Sequence, residues 1–136
     1  MGKELAIEWL KAAKPDLDNI VYIVNDKSLT TIVAFHSQQA VEKTLKSLLV
    51  YDSTDVPKIH SLNKLFKMVD KYLSVENVKI IDDLDSIYIE SRYPGEIGLM
   101  PAGRPTIEEA KEFYNFALKI FDKVCTIIGV DKKEFE

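Results

Sequence analysis

His36, Gln38, Gln39, Glu42 and Lys43 stand within about two turns of a single helical stretch, in the run Phe35-His36-Ser37-Gln38-Gln39-Ala40-Val41-Glu42-Lys43. These side chains can donate and accept directional hydrogen bonds, hold a proton and carry charge. Downstream, His60 stands before Ser61 at a helix start, and Arg92-Tyr93-Pro94 closes a later helix. A guanidinium fork fits a phosphate as well as a carboxylate, so Arg92 suits a phosphate clamp. Packing alone asks for none of these groups.

Each group also has a plainer reading. His36, Gln39 and Lys43 lie at i, i+3 and i+7 and share one helix face. Gln38 and Glu42 share the neighbouring strip, and Glu42 can pair with Lys46 four residues on. The plain reading is a solvated face with one ion pair, worth about 0.3–0.5 kcal/mol. His60 reads equally well as a capping-region histidine without further role, so position alone leaves it open. Asp85, Tyr88 and Arg92 are spaced so that Arg92 can staple its loop to Asp85 or Glu90. Lys58, Lys64, Lys67 and Lys71 make a basic stripe, usually a solvated face and sometimes a nucleic-acid surface. The cluster of Asp82, Asp83 and Asp85 reads as solubility. Two histidines without a paired cysteine or an H-E-x-x-H spacing give no metal site. Neither a phosphate-cradling glycine loop nor a Ser-His-Asp arrangement is readable, and no cofactor is implied.

The elements that position these residues are helices. The first is expected over residues 3–24, with Leu5, Ala6, Trp9, Ala13, Leu17, Ile20 and Val24 on its stripe and a kink or restart at Pro15. The second, over 30–50, carries Ile32, Val33, Phe35, Ala40, Val41, Leu45, Leu48 and Leu49, a stripe wide enough to be central. A third is expected over 61–73 behind an N-cap at Ser61, and a fourth over 77–92 with Val78, Ile81, Leu84, Ile87 and Tyr88 inward. Residues 94–105 form a Pro- and Gly-rich loop. Thr106 and Glu109 then spell a capping box for a last helix that ends at Gly129. The expected fold is all-α: a five-helix up-and-down bundle forming a single domain over residues 1–136. Its core should include Trp9, Phe35, Leu45, Leu84, Phe113, Ala117, Ile120 and Val124.

Composition sets the remaining bounds. At 136 residues, with 46% hydrophobic and 29% charged residues, the chain suits one globular domain. A net charge of −4 gives no global attraction to nucleic acid, so any such contact needs a local basic surface. No apolar run approaches the roughly 20 residues of a membrane span. The N-terminus opens straight into helical periodicity, and the lone Cys125 lies on an apolar stripe, both of which point to the cytoplasm. The wide apolar face of the second helix, with Ile97, Leu99 and Met100 in the long loop, suggests a C2 homodimer.

The polar helix, the histidine before the third helix and Arg92-Tyr93-Pro94, in that order, resemble the HEPN domain family over nearly the whole chain. The resemblance implies a small α-helical bundle, often dimeric, and a binding site drawn from Gln39, Lys43, His60, Arg92 and Tyr93, with His36, Gln38 and Glu42 secondary. Many such domains pair with a separately encoded minimal nucleotidyltransferase in a toxin–antitoxin-like system, and the expected ligand is a nucleotide or RNA phosphate. Others are metal-independent ribonucleases marked by Arg, four to six residues, then His. This chain departs from that signature: the window after Arg92 holds Ile97, Gly98 and Leu99, and no histidine follows His60. A ribonuclease built on His60 and Arg92 is therefore the alternative, and a purely structural dimerisation domain is the third reading.

Overall fold

The computed structural model describes residues 2–90 and 104–135. Arg92, Tyr93, Pro94 and the apolar loop residues Ile97, Leu99 and Met100 lie outside them. The described residues form five α-helices: α1 (Gly2–Ile23), α2 (Thr30–Tyr51), α3 (Leu62–Met68), α4 (Val78–Glu90) and α5 (Ile107–Ile128), followed by a 3₁₀ turn at Lys132–Phe135. The fold is all-α, as the periodicity requires.

The helix α2 is the hub. It packs against α1, α3, α4 and α5, and most of its 22 residues are buried. Its inward set includes Val41, Leu45 and Leu48, none with accessible surface. Against it α1 sets Ala6, Leu10, Ala13 and Leu17, a clean helical spacing whose alanines let the two helices approach closely. Helix α5 contributes Phe113, Ala117, Ile120, Phe121 and Val124. Cys125 is buried among them as a small hydrophobe.

Helix ends follow local chemistry. Thr106 and Glu109 form the capping box, with both bonds at 3.0 Å, and Gly129 closes α5 at φ 81°, a left-handed conformation that suits glycine. Ser61 caps α3, its hydroxyl accepting from the Lys64 N–H. Pro15 does not restart α1, which runs unbroken from Gly2 to Ile23.

Several sequence expectations need correction. Helix α3 is shorter than residues 61–73. After Met68 the chain turns on the Val69 carbonyl, and the Asp52 carboxylate at the end of α2 takes the Tyr72 hydroxyl and the Lys71 ammonium. Val69 and Leu73 stay buried although they are not helical. On α4 Ile80, Ile81, Leu84 and Ile87 face inward, while Val78 is 55% exposed and the Tyr88 side chain lies outside the described residues. Counting by threes from Val78 drifts round the helix, because three residues fall short of a full turn. Leu5 and Ile32 are exposed edges of their stripes. Trp9 and Phe35 are half-buried rather than interior, each beside a polar partner: Lys46 lies 5.9 Å from the Trp9 ring centroid, and the Phe35 and His36 rings meet edge to face.

Burial separates core from edge in a measurable way. Leu45→Ala should cost about 2–5 kcal/mol in denaturant unfolding, whereas Val78→Ala should stay within about 0.5 kcal/mol. The hydrogen bond from Tyr72, and then the one from Lys71, hold the Asp52 carboxyl below its ordinary range. A depressed carboxyl stabilises the fold above its unfolded value and loses that contribution as pH falls through the folded one. Tyr72→Phe should therefore lower the melting temperature at pH 7, and the difference from wild type should shrink below about pH 4.

Candidate functional site

The hub position of α2 turns its polar residues into interior groups. Gln38, Glu42 and Lys46 follow one another at four-residue steps and are 0%, 6% and 5% exposed. A buried ammonium and carboxylate are tolerable only when paired and hydrogen-bonded. Lys46 Nζ donates to Glu42 Oε2 at 3.0 Å and lies over Trp9. The solvated ion pair expected at this strip is thus a buried one.

Glu42 has two further partners. Its Oε1 accepts from Gln38 Nε2 at 3.2 Å, and its Oε2 lies 3.1 Å from His60 Nδ1. A carboxylate facing Nδ1 requires the proton on that nitrogen. Gln38 also donates to the His60 carbonyl at 3.3 Å and accepts from Gln39 Nε2 at 2.6 Å. Reversing the Gln38 amide would set its oxygen against a carboxylate and a carbonyl, so the orientation is determined by its neighbours.

The backbone after His60 is fixed as well. Asp85 on α4 accepts from the Leu62 N–H at 2.6 Å, the Asn63 N–H at 3.2 Å, the Asn63 side-chain amide at 2.9 Å and the Ser61 hydroxyl at 3.2 Å. Asp85 therefore caps α3, while Arg92, its other expected partner, lies outside the described residues. The acidic run is structural too: Asp82 accepts from Asn63 and Asp83 pairs with Lys79. His60 is consequently held by its ring, its carbonyl and the turn that follows, while its side chain remains 49% exposed.

The other half of the sequence-derived group goes elsewhere. His36 Nδ1 lies 2.9 Å from Asp16 Oδ1 and Lys43 Nζ 2.8 Å from Asp16 Oδ2, so both face α1. His36, Gln39 and Lys43 do share a face, but what gathers His36 and Lys43 is Asp16, which sequence reasoning missed. Its signal was a carboxylate interrupting the apolar stripe between Ala13 and Leu17. Two nodes result, Asp16–His36–Lys43 and Glu42–Lys46–His60–Gln38, with Gln39 bonded to the second through Gln38. Beside His60, Lys58, Lys64 and Lys67 are exposed and make no ion pair among the described residues, whereas Lys71 is held by Asp52. Among the described residues no group of three or more His, Cys, Asp or Glu side chains could hold a metal ion, and no helix is long and apolar enough to cross a membrane.

The HEPN domain family matches residues 6–128, nearly the whole chain, and the protein belongs to that family. Comparison with curated proteins and with solved structures gives no significant match.

The Glu42–Lys46 pair has a specific signature. Glu42→Ala should destabilise the fold by about 3–5 kcal/mol, because it leaves a buried ammonium alone, while Glu42→Leu combined with Lys46→Met should recover most of that loss. Chemical denaturation of the single and double variants measures both.

Proposed function

We propose that this HEPN domain is a binding module that presents His60 and the adjoining lysines to a phosphate of a nucleotide or RNA, as the partner subunit of a separately encoded minimal nucleotidyltransferase in a toxin–antitoxin-like pair. The observation that carries the binding reading is the held but half-exposed His60. A capping-region histidine needs neither a buried carboxylate behind its ring nor a buried amide on its carbonyl, and here both are present. Such preorganisation serves contact with something outside the fold. Lys58, Lys64 and Lys67, exposed and without an ion pair among the described residues, add positive charge to the chain segment around His60. Lys43 meets a phosphate only in exchange for Asp16, so its place in the site is secondary to that of His60. Arg92 and Tyr93 remain part of the proposed site as the phosphate fork and its neighbour.

A specific observation favours a second reading, the divergent metal-independent ribonuclease. An imidazole whose Nδ1 is held by a carboxylate is oriented for proton transfer at its other nitrogen. That reading requires His60 to meet an Arg92, within the chain or across a homodimer. The homodimer itself is a further proposal. Most of helix α2 is consumed inside the bundle, so the support among the described residues comes from Val21 and Tyr22 at the end of α1 and Ile32 at the start of α2, all exposed.

Fluorescence anisotropy with a labelled single-stranded RNA, and calorimetry with ATP, test the reading. Lys64→Ala with Lys67→Ala, and separately Arg92→Ala, should each weaken binding by about tenfold at unchanged helicity, and affinity should fall with salt. RNA cut in the presence of a chelator, with cutting lost in His60→Ala, would establish the ribonuclease instead. Absence of binding and cutting, with a lowered melting temperature for Arg92→Ala, would leave only the structural reading. Co-expression with a nucleotidyltransferase encoded beside this gene should yield a stable complex if the partner assignment is right.

A further inference from the structure

A second surface shares no residue with the His60 network. Where the start of α1 meets the end of α2, an open cleft of about 670 Å³ lies between the two helices and the segment that leaves α2. Its floor is apolar: Leu5 is 52% exposed, Val50 lies beneath, and Val56 flanks it. The cleft exists because of two backbone features. Gly2 brings α1 so close to α2 that an added Cβ would stand 3.1 Å from the Val50 carbonyl oxygen and 3.3 Å from that of Tyr51. Ser53 then turns the chain at φ 62°, a left-handed conformation, so that residues 54–56 form the opposite wall.

The rim is acidic. Glu4, Glu8 and Asp55 line the cleft around Leu5. Glu4 and Glu8 stand four residues apart on one helix face, a like-charge spacing that disfavours the isolated helix. Glu4 also answers the positive end of α1, but Glu8 and Asp55 do not. Glu8 has only Lys11 at 3.6 Å, an exposed pair, and no ion pair forms at Asp55 among the described residues. The final turn of α2 carries no basic residue, so its negative end is not offset there either. The carboxylates and the helix end thus put negative potential around an exposed leucine.

We infer that this cleft docks a basic amphipathic segment of a partner polypeptide, one apolar side chain seated over Leu5 and Val56 and flanking Lys or Arg residues meeting Glu8 and Asp55. Charge complementarity selects this occupant. A second copy of the same cleft would set carboxylate against carboxylate, and a nucleic acid would be repelled by the rim. An apolar anchor with charged flanks is a common mode of peptide recognition.

The probe is a fluorescein-labelled, acetylated 14-residue peptide of leucine, lysine and alanine in amphipathic order, titrated with the full chain, with an equal peptide bearing glutamate for lysine as control. The lysine peptide should bind and the glutamate peptide should not. Leu5→Ser should weaken binding by about tenfold, the scale of one lost apolar anchor. Glu8→Lys with Asp55→Lys should weaken it at least as much, while Glu112→Lys, a charge change on the exposed face of α5, should leave it unchanged. Amide shift changes on binding should centre on residues 5, 8, 55 and 56. Equal weakening by Glu112→Lys would mean general attraction to an acidic protein and would overturn the proposal. So would binding that survives Leu5→Ser, no binding of the lysine peptide, or a dimer in light scattering that Leu5→Ser dissociates, the last assigning the cleft to a second copy.

Discussion

The fold turns on a buried ion pair in its central helix. Helix α2 is enclosed by the other four helices, yet it carries Glu42 and Lys46 into that enclosure. Taking two charges out of water costs several kcal/mol per ion unless each finds partners. Gln38, His60 and Trp9 supply them, and each comes with a geometric consequence. Trp9 must lie at the edge of the core rather than inside it. Gln38 must hold one amide orientation. His60 must bring its chain segment up against α2. A hydrophobic pair of similar volume could fill the same space, so stability alone does not account for the charges. What the charged pair adds is a fixed position for a histidine whose ring is still half in solvent.

From that constraint the rest of the site follows. Asp85 reaches from α4 to the N–H groups that open α3, fixing the backbone next to His60. On the other side of α2, Asp16 gathers His36 and Lys43 and ties α1 to the same helix. Gln39 adds to the Glu42 node by donating to Gln38. Nearly every buried polar group is matched: among the described residues Thr30 Oγ1 is the buried side-chain atom without a partner. A network this fully satisfied specifies one arrangement, and so it can hold a functional side chain in place.

The helices were legible in the sequence because burial imposes a period and their ends carry recognisable caps. The Thr106–Glu109 box, the Ser61 cap and Gly129 lie where their chemistry requires. The errors have physical causes. A step of three back from Ile81 puts Val78 in the core, but three residues do not close a turn. Helix α3 is shorter than its apolar rhythm implies because Val69 and Leu73 keep that rhythm while Asp52 binds the intervening residues outside the helix. At the site, the residues of α2 were found by their type, but their partners were not. Asp16 lies 20 residues before His36 and Glu42 lies 18 before His60, and periodicity within one helix says nothing of such pairings. The solvated ion pair read at Glu42 and Lys46 was wrong in burial rather than in pairing, since the number of helices covering α2 is a property of the whole bundle.

The central claim is that Glu42 holds the His60 ring through Nδ1. Long-range nitrogen–proton correlation of the imidazole in isotope-labelled protein tests it most directly, at a pH near 8 where the two ring nitrogens can be told apart. The account requires a protonated Nδ1 in the wild-type protein and a shift of that nitrogen in Glu42→Gln at unchanged fold. An Nδ1 without a proton, or a histidine spectrum indifferent to Glu42→Gln, would contradict it.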